Sequence, residues 1–109
     1  KEDSKTYYRE WYKKNPDKVR KTTLKARYNI SPQEYEIMLL SQKGLCYLCG
    51  KSETIKENGI VRRLAIDHCH SSGKIRRLLC GHCNRGLGYF KDNPEIMRSA
   101  ADYVERGGI

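Results

Sequence analysis

Two cysteine pairs with the spacing Cys-x-x-Cys limit what this chain can fold into more than any other feature of its sequence. Cys46 and Cys49 form the first pair, Cys80 and Cys83 form the second, and 30 residues separate them. Two such pairs complete the four-sulfur tetrahedral shell that structural zinc prefers. Since sulfur fills all four positions, no position stays open for a substrate, and we predict a structural rather than a catalytic metal. The alternatives are buried inert cysteines or a redox-active pair.

The composition explains why the fold needs such a metal. Leu, Ile, Val and Phe make up 21 of the 109 residues, and 32% of all residues are charged, a balance that by itself predicts disorder. The longest apolar runs, such as residues 37–40, are far shorter than the roughly 18 residues of a membrane span. The N-terminal residues lack the apolar segment of a secretory signal. We therefore expect a cytosolic protein with no membrane partner, in which thiols stay reduced and metal is favoured over disulfides.

Two further candidate metal ligands, Cys69 and His82, are not needed for this site. His82 lies between Cys80 and Cys83, and we predict that it points outward. For Cys69 we predict an ordinary position in a strand or loop. A ligand role is the alternative for His82, and a fifth thiol near the site is the alternative for Cys69.

Positive charge is concentrated near the N terminus. Residues 1–30 carry ten basic and four acidic side chains, which is +6 of the net charge of +9. Lys18, Lys21 and Lys25 recur at helical spacing, beside a second stripe formed by Val19, Thr23, Ala26 and Ile30. We predict that the second stripe packs while the lysines meet the phosphates of a nucleic acid, because neutralised phosphates release their counterions. A solvated basic segment without a partner is the alternative.

An aromatic group precedes these stripes. It consists of Tyr7, Tyr8, Trp11 and Tyr12, at positions i, i+1, i+4 and i+5. We interpret it as part of a helix that packs on its neighbours, with contact to nucleic acid as the alternative.

Local signals predict helix starts and strand turns. Asn15-Pro16 and Asn93-Pro94 each place a capping residue before a proline, and residues 31–34 (Ser-Pro-Gln-Glu) form a capping box. Asn58-Gly59 is typical of a two-residue hairpin turn, and residues 71–73 (Ser-Ser-Gly) form a second turn. Residues 53–79 are therefore predicted to form short antiparallel strands between helical segments, which gives a small, mostly helical α+β fold.

A polar stretch, Asp67-His68-Cys69-His70, ends one of the predicted strands between the two cysteine pairs, and Asn84 follows the last cysteine at the opening of a helix. A carboxylate and an amide oxygen are ligands that Mg²⁺ accepts. A neutral imidazole can deprotonate water near neutral pH. These residue types favour metal-assisted hydrolysis of a phosphodiester, whereas a polar turn without a function is the alternative.

The order of these motifs resembles the phage recombination endonuclease VII family, a branch of the HNH or His-Me finger nucleases. The motifs are Cys46-x-x-Cys49, Asp67-His68-x-His70, Gly73-x-x-Arg76 and Leu79-Cys80-x-x-Cys83-Asn84, within residues 45–90. The resemblance implies a ββα-metal core, two strands and a helix that carry the active site, beside the four-cysteine zinc site.

The resemblance also implies roles for individual residues. His68 becomes the general base, and Asp67 and Asn84 become ligands of a single Mg²⁺ or Mn²⁺ ion. His70 contacts the scissile phosphate or assists the leaving group, and Arg76 lies near the phosphate or braces the site. Arg77 stands where such motifs usually have Gly, and with Arg76 and Arg85 it adds to the expected DNA contacts.

We therefore expect a Mg²⁺-dependent DNA endonuclease that nicks or cuts duplex or branched DNA with weak sequence specificity, in the host cytosol if it is phage-encoded. The alternatives are a non-catalytic zinc-ribbon DNA-binding module and an RNA-directed nuclease. We expect one folded unit with a basic helical DNA-binding arm (1–44), a zinc-stapled nuclease core (45–92) and a C-terminal helix packed on the core (93–109). The 25 residues after Asn84 give no support for a homodimer, because the family's junction-resolving members build their dimer from a longer C-terminal region.

Overall fold

The computed structural model describes residues 4–109, so the first three residues of the predicted arm lie outside the described residues. The described helices are α1 (Ser4–Lys14), α2 (Pro16–Tyr28), α3 (Pro32–Ser41), α4 (Gly81–Tyr89) and α5 (Pro94–Glu105). The described strands are β1 (Lys56–Glu57), β2 (Ile60–Val61), β3 (Ala65–His68) and β4 (Ile75–Leu79). Helices thus cover about half of the chain, which confirms the small α+β fold. None of the helices within residues 4–109 has both the length and the apolar character needed to cross a membrane.

Proline is the first residue of α2, α3 and α5, as predicted. The capping box before α3 is formed in both directions, since Ser31 Oγ accepts a hydrogen bond from the Glu34 N–H (3.1 Å) and the Ser31 N–H donates to Glu34 Oε1 (3.3 Å). Asn93 Oδ1 accepts from the first two free backbone N–H groups of α5, at 3.0 and 3.2 Å. Asn15 behaves differently: its Nδ2 donates to the Trp11 carbonyl oxygen (2.8 Å) and closes α1 rather than capping α2.

The chain divides into two compact units, residues 1–38 and residues 39–109. In the first unit α1 contacts α2, and the buried side chains are Leu24, Ile30 and Tyr35. The guanidinium of Arg20 lies over the Tyr35 ring, 4.6 Å from its centroid, a distance at which the cation is attracted to the ring face. The finer division predicted at residues 44/45 and 92/93 stays a prediction.

The packing face of α2 differs from the predicted stripe. Thr23 and Ala26 are exposed, and Leu24 is the buried residue of this helix. Helical periodicity allowed either face, and the large aliphatic Leu24 gains more from burial than a threonine or an alanine. Ile30, the last residue of the predicted stripe, is buried, although it lies beyond the end of α2.

The aromatic group of α1 is more exposed than predicted. The Trp11 side chain is 38% exposed, and Tyr7 and Tyr12 are more than half exposed. Trp11 and Tyr12 meet edge to face with ring centroids 5.5 Å apart. The side chain of Tyr8 lies outside the described part of the chain.

The second unit is built on two antiparallel hairpins. In the first hairpin, β1 and β2 are joined by Asn58 and Gly59, whose positive φ angles of 52° and 79° suit a tight two-residue turn. Each of these strands has two residues, and residues 62–64 interrupt the predicted strand region before β3 begins. In the second hairpin, β3 pairs with β4 and carries most of the buried core, formed by Leu64, Ile66, Leu78 and Leu79.

A bulge interrupts the pairing of β3 with β4. Ile66 pairs with Leu78 and His68 pairs with Ile75. Two residues of β4, Arg76 and Arg77, therefore oppose the single residue Asp67 of β3. Such bulges bend a strand and redirect its side chains. Helix α4 begins directly after β4 and contacts β3, so two strands and a helix lie together in the middle of this unit.

Candidate metal centre and active site

The four cysteines of the two Cys-x-x-Cys pairs lie together, as predicted. The Sγ atoms of Cys46, Cys49, Cys80 and Cys83 are all within 4.8 Å of one another, and those of Cys49 and Cys80 are 3.9 Å apart. Tetrahedral zinc with Zn–S bonds of about 2.3 Å separates its sulfurs by about 3.8 Å. The spacing and the all-sulfur donor set therefore fit a structural metal ion such as zinc.

Local backbone structure presents each pair to the cluster. In the first pair the Cys46 carbonyl oxygen accepts from the Gly50 N–H (2.9 Å), and the Cys46 N–H donates to the Lys51 carbonyl oxygen (2.9 Å). In the second pair Cys80 is the N-cap of α4, and its Sγ accepts from the Cys83 N–H at 3.5 Å. A tight turn and the first turn of a helix thus fix the two halves of the site.

Backbone hydrogen bonds also tie the first pair to β4. The Leu78 carbonyl oxygen accepts from the Tyr47 N–H (3.1 Å) and from Gln42 Nε2 (2.9 Å). The Leu78 N–H donates to Gln42 Oε1 (3.0 Å). Because Leu78 is fully buried, the loop of the first cysteine pair is attached to the core of the unit.

The cluster is electrostatically uneven without a metal. Burial is the main cause that raises the pKa of the Cys80 and Cys83 thiols. Burial also acts to raise the pKa of Cys46, but hydrogen bonds from backbone N–H groups, including that of Cys49, outweigh it and lower the value to about 6. One thiolate therefore forms readily, while a metal ion is needed to hold four together.

The predicted metal ligand Asp67 is buried and held by an arginine. Arg76 Nε donates to Asp67 Oδ2 (2.6 Å) and Arg76 Nη2 donates to Asp67 Oδ1 (2.9 Å). The bulge that sets Arg76 opposite Asp67 permits this two-bond contact, which is among the stronger side-chain interactions in proteins. Of the two roles expected for Arg76, this geometry corresponds to bracing the site.

Asp92 joins this group and was missed in the sequence. Arg76 Nη2 also donates to Asp92 Oδ1 (2.9 Å), and Arg76 holds the pKa of Asp92 below its usual range, with smaller contributions from His70 and His68. Asp92 lies in the turn after α4, where its N–H donates to the Leu87 carbonyl oxygen (2.9 Å) and its φ is 58°. The only local signal in the sequence is that Asp tolerates this left-handed conformation. That signal does not predict that Asp92 contacts Arg76.

The two histidines lie side by side at the end of β3. Their ring centroids are 4.9 Å apart and their planes are inclined by 46°. His68 is half-buried as the last residue of β3, whereas His70 is exposed in the following turn. Asn84 is half-buried in α4, the helix that contacts β3. Asp67, His68 and Asn84 thus belong to elements that touch.

The two leftover candidates lie outside the four-cysteine cluster. His82 is exposed. Cys69 follows β3 directly, and its Sγ lies 3.2 Å from Ser71 Oγ. Hydrogen bonds from Ser71 and then Ser72 lower the pKa of Cys69 to about 6.

The basic residues expected to contact DNA have different surroundings. Arg77 lies over the Tyr47 ring, 5.1 Å from its centroid, and Arg85 is exposed on α4. The three predicted lysines line a groove of the first unit together with Trp11 and two small side chains of α2. The contacts of these residues with DNA stay predictions.

Comparison with known proteins identifies the family. The chain is 34% identical over 102 residues to the gene 59 protein of Mycobacterium phage D29, which covers 93% of this chain and 59% of the relative. It is also 34% identical over 100 residues to the gene 59 protein of Mycobacterium phage L5, covering 91% of this chain and 58% of that relative. The chain therefore spans about three fifths of the length of these curated relatives, and the point where it ends has no bearing on dimerisation.

No solved structure shows a significant match to the chain. The family model of recombination endonuclease VII matches residues 21–106, a range that includes both cysteine pairs and the whole β3–β4–α4 segment. The chain belongs to the recombination endonuclease VII family.

Proposed function

We propose that this protein is a divalent-metal-dependent DNA endonuclease of the HNH or His-Me finger type, with a structural zinc ion at its four cysteines. One observation carries the proposal: within the family match, β3 presents a buried, arginine-held Asp67 next to His68 while α4, the helix of Asn84, contacts the same strand. A non-catalytic DNA-binding module leaves the placement of Asp67 and His68 next to the helix of Asn84 unexplained.

The donor set suits the catalytic ion that the family implies. Asp67 supplies a carboxylate and Asn84 an amide oxygen, which are hard ligands of the kind that Mg²⁺ and Mn²⁺ accept. Each Asp67 oxygen accepts one hydrogen bond from Arg76, and a carboxylate oxygen has a second lone pair available. When bound, a divalent ion would stabilise negative charge on the scissile phosphate and the leaving oxygen.

The histidines supply the proton chemistry in this proposal. His68 accepts a proton from the attacking water, which its neutral imidazole can do near neutral pH. His70, exposed beside it, contacts the scissile phosphate or assists the leaving group. Arg76 fixes the direction of the Asp67 carboxylate, and Asp92 in turn holds Arg76 by accepting a hydrogen bond from Nη2.

The polyanion partner is DNA in this proposal. Lys18, Lys21, Lys25, Arg77 and Arg85 contribute phosphate contacts, which give affinity with little sequence information. Since the relatives are phage proteins, we place the activity in the cytosol of an infected host. The arm, core and C-terminal helix predicted from the sequence belong to this proposal as well.

Cleavage of supercoiled plasmid tests the proposal. Purified protein with Mg²⁺ should give relaxed or linear DNA, and His68→Ala should lower the rate by about 10²- to 10⁴-fold, the usual contribution of a general base. His82→Ala is the matched control, because this exposed histidine lies outside the β3–β4 hairpin, and it should cut like the wild type.

Two outcomes contradict the proposal. One is a wild-type protein that gives no product, and the other is equal cutting by His68→Ala. A protein that shifts DNA in a gel with or without Mg²⁺ and leaves it intact is the zinc-ribbon binding module instead. Matched RNA and DNA duplexes in the same assay separate a DNA endonuclease from an RNA-directed one.

A further inference from the structure

The groove between α1 and α2 combines an aromatic ring with three cations. It is lined by Trp11 from α1 and by Lys18, Lys21, Thr22, Lys25 and Ala26 from α2, and its volume is about 610 Å³. Sites that hold small ligands commonly have about 300–1,000 Å³. The groove is thus large enough to take a nucleotide-sized group.

Trp11 offers the apolar part of this groove. The Trp11 side chain is 38% exposed. Burying the whole indole would stabilise the fold further, because the chain has few other large apolar side chains to bury. Its ring meets Tyr12 through an edge contact rather than a stacked one. An indole in this position suits a ligand with a flat aromatic face, because aromatic faces stack with offset.

Three lysines supply the charge. Lys18, Lys21 and Lys25 take part in none of the ion pairs found among residues 4–109. The seven residue steps from Lys18 to Lys25 extend about 10 Å along the helix, so the three lysines form a row long enough to meet more than one phosphate of the same strand. The groove is therefore complementary to a short row of phosphates that carries an aromatic group.

We propose that this groove binds a single-stranded segment of DNA, with one unstacked base on Trp11 and the neighbouring phosphates on Lys18, Lys21 and Lys25. In a duplex the bases stack on each other, so their faces are closed to Trp11, while the lysines alone still attract phosphate. Stacking therefore favours a strand with an unpaired base over a fully paired duplex. The inference rests on the proposed function only in taking DNA as the partner.

The fluorescence of Trp11 tests this directly, because it is the only tryptophan in the sequence. The full chain is titrated with a twelve-nucleotide oligothymidine and with a fully paired duplex of the same length, without added divalent metal so that no cleavage occurs. We expect the single strand to quench the fluorescence strongly and the duplex to quench it weakly.

Variants divide the site into its two parts, with binding followed by the anisotropy of labelled DNA. Trp11→Ala should weaken single-strand binding by about tenfold or more, the usual effect of losing one stacked base, and should change duplex binding much less. Replacing the three lysines by alanine should lower the salt dependence of single-strand binding by about two units, since each phosphate contributes about 0.7.

Two control variants keep the test interpretable. Trp11→Phe keeps a stacking ring and should retain most of the affinity, which guards against a Trp11→Ala protein that has lost its helices. Tyr103→Ala removes an exposed aromatic side chain of α5 and should bind like the wild type.

The proposal is overturned if labelled single strands bind while the Trp11 fluorescence stays unchanged, if the duplex quenches equally, or if Trp11→Ala binds with wild-type affinity. These results are independent of nuclease activity. If the protein cuts plasmid but its Trp11 fluorescence does not respond to single-stranded DNA, the proposed function stands and this inference fails. If single-stranded DNA quenches the fluorescence but the protein does not cut plasmid, this inference stands and the proposed function fails.

Discussion

The two units of this protein meet the same shortage of apolar side chains in different ways. Residues 39–109 bring the sulfurs of four cysteines to within 4.8 Å of one another and tie the loops that carry them together with backbone hydrogen bonds. Residues 4–38 have neighbouring helices with three buried side chains, Leu24, Ile30 and Tyr35. The difference fits the role proposed for each unit, which is metal binding for residues 39–109 and phosphate binding for residues 4–38. Metal ligands need positions fixed to within about 0.5 Å, whereas lysines attract phosphate from many conformations.

The largest effect should come from breaking the cluster. Cys46→Ser removes one of the four thiolates, and zinc binding contributes about 10–16 kcal/mol in zinc-finger peptides, as much as the whole stability of a small domain of about 5–15 kcal/mol. We expect residues 39–109 to unfold and to lose their dispersed amide resonances in a ¹H–¹⁵N NMR spectrum. Resonances of residues 4–38, which contribute no ligand to the cluster, should change far less.

Cys69→Ser is the control for this prediction, because Cys69 lies outside the four-cysteine cluster. That variant should keep both the zinc and the dispersed spectrum. A Cys46→Ser protein that stays folded with its zinc content undiminished would contradict the four-cysteine site.

An intermediate effect should separate two asparagines that share the Asn-Pro motif. Asn93 caps α5 with two hydrogen bonds, so Asn93→Ala should lower the free energy of unfolding by about 1 kcal/mol. Asn15 makes no capping bond to α2 and only one exposed bond to the end of α1, so Asn15→Ala should lower it by about 0.5 kcal/mol or less. Urea denaturation followed by circular dichroism measures both, and equal losses would show that the motif acts alike in the two units.

The smallest effect concerns one thiol within residues 39–109. A pKa of about 6 for Cys69 means that the thiolate predominates above pH 6 and is lost as the pH falls below it. An ordinary thiol has a pKa of about 8.5. Iodoacetamide should therefore label Cys69 of the zinc-loaded protein with a midpoint near pH 6, as followed by mass spectrometry.

Ser71→Ala should move this midpoint upward, because the Ser71 hydroxyl is the main cause of the lowered pKa. Labelling of Cys69 that rises only above pH 8 in the wild type would refute the assignment. Zinc should protect the four cluster cysteines throughout.

Features that depend on neighbours in the sequence could be predicted. The two Cys-x-x-Cys pairs, the capping box of Ser31 and Glu34, and the Asn58-Gly59 turn each contain their physical cause within a few residues. The pairing of Asp92 with Arg76 could not, since 16 residues and a helix separate them. It depends on a bulge in β4 and on the turn after α4, and no local pattern in the sequence links the two.

The choice of the buried face of α2 shows a second limit. The face with Thr23 and Ala26 and the face with Leu24 both have helical spacing, so periodicity alone does not predict which of them is buried. The volume of the side chain decided, because Leu24 fills more space in the core. The catalytic roles of His68, His70 and Asn84 are a different case, because they are inferred from the family and await the cleavage experiment.

Gln42 also closes part of the open edge of the second hairpin. A ribbon of two strands has open edges, and free backbone groups along an edge are a template on which another chain can pair. At Leu78 the side-chain amide of Gln42 occupies both the donor and the acceptor of the backbone, as a third strand would. One side chain just after α3 thus takes the place of a neighbouring strand at this point of β4, and it leaves neither backbone group of Leu78 open for pairing with another chain.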